Sequence, residues 1–176
     1  MSGPKEYLVI SSSLRPSSRS RILAEYLREY YESQQVSCAF LDLRAVNLPL
    51  CDGETAYSHP DVARCAKLIT DARVIIAAAP VYNFDVCAAL KNLIELTGDS
   101  WEDKVVGFLC AAGGSSSYMS VMSVANSLML DFRCLIIPRF VYATRNDFND
   151  EKVPTDEIKG RVARLAQASL ATKNAV

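Results

Sequence analysis

The chain has 176 residues, half of them apolar, and a formal net charge of −1. That size suits a single domain over residues 1–176 with one core, and the near-neutral balance argues against a nucleic-acid surface, which needs a basic excess. The apolar runs are short and interrupted, so no membrane span is expected. The N-terminus also lacks the basic-then-apolar pattern of a signal peptide, so a cytoplasmic location is the expectation.

Tyr7-Leu8-Val9-Ile10 is a continuous β-rich run and reads as a buried strand. Residues 11–20 follow as a loop dense in hydroxyls. Ile22, Leu23, Tyr26, Leu27 and Tyr30 then recur at steps of three and four, one face of a helix, with Ser17 or Ser18 available as its N-cap. Val36 to Leu43 is the second strand. Arg44 to His59 is a loop marked by Pro49 and Asp52-Gly53. Pro60 suits the first turn of a second helix with Val62, Cys65, Ala66 and Ile69 on its apolar side, and His59 before it suits a capping or surface role.

Val74 to Ala79 is the third strand, expected to stop at Pro80, with a loop over 80–85. A helix is expected from about Val86 to Leu96, closed by Gly98-Asp99, with Lys91 and Glu95 spaced to pair. Val105 to Ala111 is the fourth strand. Gly113 to Ser117 is a loop before a long helix reaching about Leu130. Cys134 to Ile137 is the fifth strand, and a last helix carries Ile158, Val162, Leu165 and Leu170.

The order is β-α repeated, and the strands are continuous apolar runs. That pattern predicts an α/β fold: a five-stranded parallel sheet with helices on both faces. In such sheets ligands bind beyond the carboxyl ends of the strands. The loops at 11–18, 80–85 and 111–117 all follow strands, so they share that edge.

Six cysteines occur at 38, 51, 65, 87, 110 and 134. None shows metal-ligand spacing, so reduced core thiols are expected. Cys87 opens a helix beside the second loop, where a thiol's pKa can fall, and redox activity there stands as an alternative to packing. Cys38 and Arg44 have Cys-x5-Arg spacing, but Cys38 lies inside a predicted strand rather than in a strand-to-helix loop.

The first loop, Ser11-Ser12-Ser13-Leu14-Arg15-Pro16-Ser17-Ser18-Arg19-Ser20, has neither GxGxxG nor GxxxxGK, so it is neither a Rossmann nor a P-loop nucleotide site. Its hydroxyls, helix-start amides, Arg15 and Arg19 suit a terminal phosphate monoester. The alternative is a hydroxyl-rich capping loop with solvent-facing arginines. In the second loop, Pro80-Val81-Tyr82-Asn83-Phe84-Asp85, the rings of Tyr82 and Phe84 can meet a planar ligand, or the segment is a turn with partly buried aromatics. The third, Ala112-Gly113-Gly114-Ser115, permits close backbone approach.

Taken together, these blocks resemble the NADPH-dependent FMN reductase family, which is flavodoxin-like. The first loop is similar to that family's SGSLRxxSxN. Pro80-Val81-Tyr82-Asn83 with Leu90-Lys91-Asn92 is similar to PEYNxxxPxxLKN. Asp42-Leu43-Arg44 with Leu48-Pro49-Leu50 and the Gly113-Gly114 loop match in order and spacing.

The resemblance implies a three-layer sandwich with strand order 2-1-3-4-5 and non-covalent FMN. It also implies hydride transfer from NADPH or NADH to that FMN and on to a flavin, quinone, azo compound or metal ion, with no catalytic side chain required for the hydride step. Ser11, Ser13, Arg15, Ser18 and Ser20 would hold the phosphate, with Arg19 beside them. Pro80, Val81, Tyr82, Asn83 and Phe84 would border the ring, and Gly113, Gly114 and Ser115 would close its other edge. The chain departs from the pattern at Ser12 and Phe84 (for Gly), Ser20 (for Asn), Val81 (for Glu), and Cys87 and Ala88 (for Pro and Gly). An FMN-binding electron carrier or a non-enzymatic flavin sensor is the alternative.

Ser115 to Leu130 holds no Asp, Glu, Lys or Arg. A helix over one sheet face normally carries a charged outer side, so this stretch is expected to form a homodimer or homotetramer interface; the alternative is an unusually apolar internal helix.

Overall fold

A computed structural model describes residues 5–175 of the chain. The single-domain expectation also takes in residues 1–4 and 176, which lie outside the described residues. The strands are β1 (Tyr7–Ser11), β2 (Cys38–Asp42), β3 (Val74–Tyr82), β4 (Asp85–Val86), β5 (Val105–Ala111), β6 (Leu135–Ile136) and β7 (Val141–Ala143). The α-helices are α1 (Arg19–Ser33), α2 (Pro60–Asp71), α3 (Ala88–Thr97), α4 (Met122–Phe132) and α5 (Asp156–Thr172).

The sheet runs β2-β1-β3-β5-β6, with β7 also on β5 and β4 on β3. Its principal pairings are parallel, from Tyr7 against Cys38 and Val74 to Pro80 against Ala111. Strand alternation sorts the core into two layers. Leu8, Ile10, Ile75 and Ala77 pack on the side of α2, α3 and α4. Tyr7, Val9, Val74 and Ile76 pack on the side of α1 and α5. This is the expected doubly covered parallel sheet in the expected order.

The sheet has seven strands rather than five, for two local reasons. The expected fifth strand is broken. Val106 pairs with Ile136 and Leu109 with Val141, so the outer strand carries extra residues around Pro138. Proline has no N–H to give the ladder, and Arg139 N instead turns back to Ile137 O at 2.7 Å. The second reason lies in β3, which continues through Pro80 to Tyr82 instead of stopping. Ser12 N donates to Ala78 O at 2.9 Å. By alternation the Pro80 nitrogen faces the same side, where β1 has already ended, so no ladder bond is lost there. Residues 80–85 are therefore mostly strand: Tyr82 pairs with Asp85 and Val81 with Val86 in a tight antiparallel hairpin.

The expected long helix from Ser115 is also broken. A 3-10 segment, Ser115–Val121, has non-helical geometry at Ser117 and leads into α4. Ser18 is the N-cap of α1, accepting from Arg21 N, and His59 Nδ1 caps α2 by accepting from Asp61 N at 3.2 Å, with Pro60 in the first turn. Lys91 and Glu95 pair at 3.1 Å on α3. The six thiols are free; Cys65, Cys87, Cys110 and Cys134 are core residues as expected, whereas Cys38 and Cys51 are only half-buried.

Gly107 of β5 sits where side chains from β3, α5 and the segment after β6 close in on the backbone. An added Cβ there would lie 2.7 Å from Ile76 Cδ1, 3.1 Å from Leu165 Cδ1 and 3.3 Å from Ile137 Cδ1. Gly107→Ala should therefore lower stability by about 1–3 kcal/mol through overpacking, measured by urea unfolding; an unchanged midpoint would show that α5 yields without cost.

Candidate functional site

Because β1, β3 and β5 run in register, their carboxyl ends deliver three loops to one edge. Between these loops lies a cavity of about 330 Å³, lined by Ser13, Arg15, Ser17, Ser18, Arg19, Ser20, Pro80, Val81, Tyr82, Ala111, Ala112 and Gly113. Of the residues expected there, Ser13, Arg15, Ser18, Arg19, Ser20, Pro80, Val81, Tyr82 and Gly113 come together. Ser11, Asn83, Phe84, Gly114 and Ser115 do not line this cavity. Ser17, Ala111 and Ala112 line it without having been singled out. Ser17 lies within the first loop, Ala111 ends β5, and Ala112 opens the third loop just before Gly113.

The first loop is preorganised by its own hydroxyls. Ser13 Oγ accepts from Arg15 N at 3.3 Å, and Ser18 Oγ lies 2.9 Å from Ser20 Oγ. The N-terminus of α1 opens at the cavity with no acidic residue in its first turn, so its macrodipole favours an anion there. The nearby arginines divide into two kinds. Arg21 is committed to Glu25, at 2.9 Å, and to Asp42. Arg15 and Arg19 form no ion pair among the described residues, and no acidic side chain lines the cavity.

Arg19 is held by stacking, its guanidinium carbon 5.7 Å from the centroid of Phe148. Its Nε is buried without a hydrogen-bond partner among the described residues, as is the Oγ of fully buried Ser11. Buried polar atoms are normally paired, because leaving one unmade costs about 1–3 kcal/mol.

Ser12, where the resembled pattern has glycine, does not obstruct the loop. Its side chain points away from the cavity and donates to Ala78 O at 2.8 Å. Its Oγ also lies 3.2 Å from Cys87 Sγ. Cys87 replaces the proline of the same pattern, so two departures far apart in sequence form one contact. The thiol is buried and its second polar neighbour is Ser12 O at 3.6 Å. Behind it, burial pushes the Cys110 thiol up to about 12, with Cys87 adding to the effect, so that group is neutral at physiological pH.

The third loop is anchored from outside. Tyr142 Oη donates to Gly114 O at 2.6 Å. Tyr118 packs against Tyr142 and Phe140, with centroids 5.5 and 5.0 Å apart. Burial raises the Tyr142 hydroxyl above the usual phenol range, keeping it a donor. The sequence carried no motif for this brace; only the break in the fifth strand brings Tyr142 alongside β5.

On the far side of the β3–β4 hairpin is a second cavity of about 460 Å³, lined by Tyr82, Asn83, Asp85, Val86, Ala88, Lys91, Ser123, Val124 and Ser127. Tyr82 borders both cavities.

A profile of the NADPH-dependent FMN reductase family matches residues 6–149. An NAD(P)H-dependent FAD/FMN reductase of Geobacillus thermodenitrificans is 29% identical over 135 residues, covering 75% of this chain and 73% of that protein. An NADPH azoreductase of Bacillus sp. (strain OY1-2) is 25% identical over 136 residues, 76% of this chain and 74% of that one. Among solved structures, an apo NADH:FMN oxidoreductase superposes with a TM-score of 0.79 at 14% identity, covering 94% of this chain and 88% of the other. That last likeness bears on the fold alone.

Proposed function

Because the chain belongs to the NADPH-dependent FMN reductase family, we propose that the cavity between the three loops holds FMN. On this reading the protein passes reducing equivalents from NAD(P)H to a small acceptor. The names of the two relatives above support NAD(P)H as donor and flavins or azo compounds as acceptors. The observation that carries the reading is the meeting of four serines and two arginines, Arg15 and Arg19, with no acidic side chain among them, and the ends of β3 and β5 around one cavity.

The residues present fit the cofactor. Arg19 lines the cavity, and its Nε is a buried donor without a partner among the described residues, which a phosphate oxygen would satisfy. An added Cβ at Gly113 or Gly114 would meet nothing within 4 Å, and neither glycine has a positive φ. Neither crowding nor conformation demands glycine at these two positions, whereas close approach of a ligand does.

Arg15, Arg19, Ser13, Ser18 and Ser20 hold the phosphate, with Ser11 beneath. Pro80, Val81, Tyr82 and Gly113 border the ring, with Asn83, Gly114 and Ser115 at its margin. FMN, when bound, supplies the hydride chemistry itself. The chain's part is to bind, orient and exclude water, and the lining suits that part: hydroxyls and guanidinium groups at one end, and Val81, Ala111 and Ala112 at the other. No carboxylate or imidazole lines the cavity to hold a proton there.

We also propose that a second copy of the chain covers α4 and the turn before it. Met119, Met122, Met129 and Leu130 are exposed there, Leu130 at 85%, on a stretch without a charged side chain from Ser115 to Leu130. Methionine-rich apolar patches of this kind are characteristic of interfaces. Among the described residues no helix is long and apolar enough to cross a membrane.

The purified protein should be yellow, or become so with FMN, and should bleach when NADPH is added anaerobically. A yellow protein that does not bleach points to a carrier or sensor, and a colourless one that cannot be reconstituted removes the flavin reading. A charge-assisted hydrogen bond contributes about 1.5–3 kcal/mol, so Arg15→Ala should weaken FMN about tenfold to a hundredfold by fluorescence titration; unaltered affinity would mean the phosphate lies elsewhere. Light scattering at micromolar concentration should give a dimer or tetramer that Leu130→Glu converts toward monomer, and a monomeric wild type would rule the interface out.

A further inference from the structure

The hairpin between the two cavities has a backbone that its sequence does not favour. Its loop is two residues long, and both are left-handed: Asn83 has φ 51° and Phe84 has φ 65°. This is the type I′ geometry of tight hairpins, for which Asn suits the first position and glycine the second. A bulky aromatic seldom takes this conformation. Burial does not account for its choice, because Phe84 is 56% exposed. Neighbouring Tyr82 is 54% exposed and borders both cavities. Two large, water-facing rings thus sit within three residues: Tyr82 borders both cavities, and Phe84, which lines neither, stands between Asn83 and Asp85, both on the wall of the 460 Å³ cavity beside α3 and α4. Strained backbone retained without a packing benefit in the same chain is a mark of function at that position.

We propose that Phe84 is a specificity-determining residue whose ring, with that of Tyr82, stacks on planar aromatic acceptors such as quinones and azo compounds as they approach the flavin. The inference rests on the FMN reading above. It differs from the role first expected of Phe84, a border of the flavin itself, since Phe84 does not line the candidate cofactor cavity. Offset and edge-to-face aromatic contacts add to apolar burial and select flat, polarisable molecules over compact hydrated ions. The adjoining cavity is within the size range of small-molecule sites, and its Asn83, Lys91 and Ser127 offer polar contacts at its rim.

The test uses the FMN-loaded protein with Phe84→Gly, which removes both ring and strain, and Phe84→Tyr, which keeps the ring. The probes are menadione, a flat naphthoquinone, and ferricyanide, a compact anion. Calorimetric binding of menadione to the oxidised protein, without NADPH, should weaken about three- to tenfold in Phe84→Gly and recover in Phe84→Tyr. The KM for menadione should rise in parallel, while that for ferricyanide and the dissociation constant of FMN move less than twofold. Relief of the left-handed aromatic should also raise the melting temperature of Phe84→Gly by about 2–4 °C. Unchanged menadione affinity in Phe84→Gly overturns the proposal, as does an equal rise in KM for both acceptors. So does a loss of the oligomer by light scattering with menadione binding intact, which would make Phe84 an interface residue. Failure of the reductase reading appears separately, as a wild-type flavoprotein that NADPH does not bleach.

Discussion

The register of β1, β3 and β5 is the constraint on which the site depends. Ser11 pairs with Ala78 and Pro80 with Ala111, so the three strands end within a few residues of one another. The loops that follow therefore meet at one edge, where contacts such as Ser12 Oγ to Cys87 Sγ and Tyr142 Oη to Gly114 O only tie down what the register has already brought together. Register in a parallel sheet is enforced by burial: a one-residue slip would move Leu8, Ile10, Ile75 and Ala77 to the opposite layer. The packing of two apolar layers therefore also sets the dimensions of the cavity above them.

Within that frame, three of the departures from the family pattern are of two physical kinds, while Ser20 and Val81 line the cavity itself. Ser12 and Cys87 face the core. They satisfy each other at 3.2 Å, and Ser12 adds a bond to Ala78 O. Such a pair is coupled in energy, so either residue alone would look like a defect while the two together are not. Phe84 faces water and occupies a left-handed position. Burial does not offset that cost, since the ring is more than half exposed. The same separation applies to the arginines. Arg21 is tied to Glu25 and Asp42 and serves the fold, whereas Arg15 and Arg19 stay without acidic partners at the cavity.

Mechanically, the edge is braced from both flanks. Phe148, in the segment after β7, stacks on Arg19, and Tyr142 of β7 holds Gly114 O. The outermost strand thus reaches across to two of the three loops. Its interruption at Pro138 is part of that arrangement, because the extra residues let β7 realign on the end of β5 beside the third loop.

The continuous apolar runs, their alternation with helical periodicities, the Ser18 and His59 caps and the serine-arginine loop were all legible in the sequence. Each depends on local chemistry or on a period of side chains along one segment. Those signals were enough for a parallel α/β sheet and for the edge at which the three loops meet. The hairpin at 82–85 was not legible, since Phe84 stands where the glycine signal of a tight turn belongs. Nor was the passage of β3 through Pro80, which depends on where β1 ends. The break in the last strand, the kink at Ser117, the Ser12–Cys87 contact and the Tyr142 brace likewise join residues distant in sequence. The sequence alone determined the main strands and helices, the edge where their loops meet and the hydroxyl- and arginine-rich character of the first loop, because these are properties of contiguous residues. Only the tertiary structure decided which hydroxyls, guanidinium groups and rings face the cavity, because that follows from strand register and the packing of one element against another.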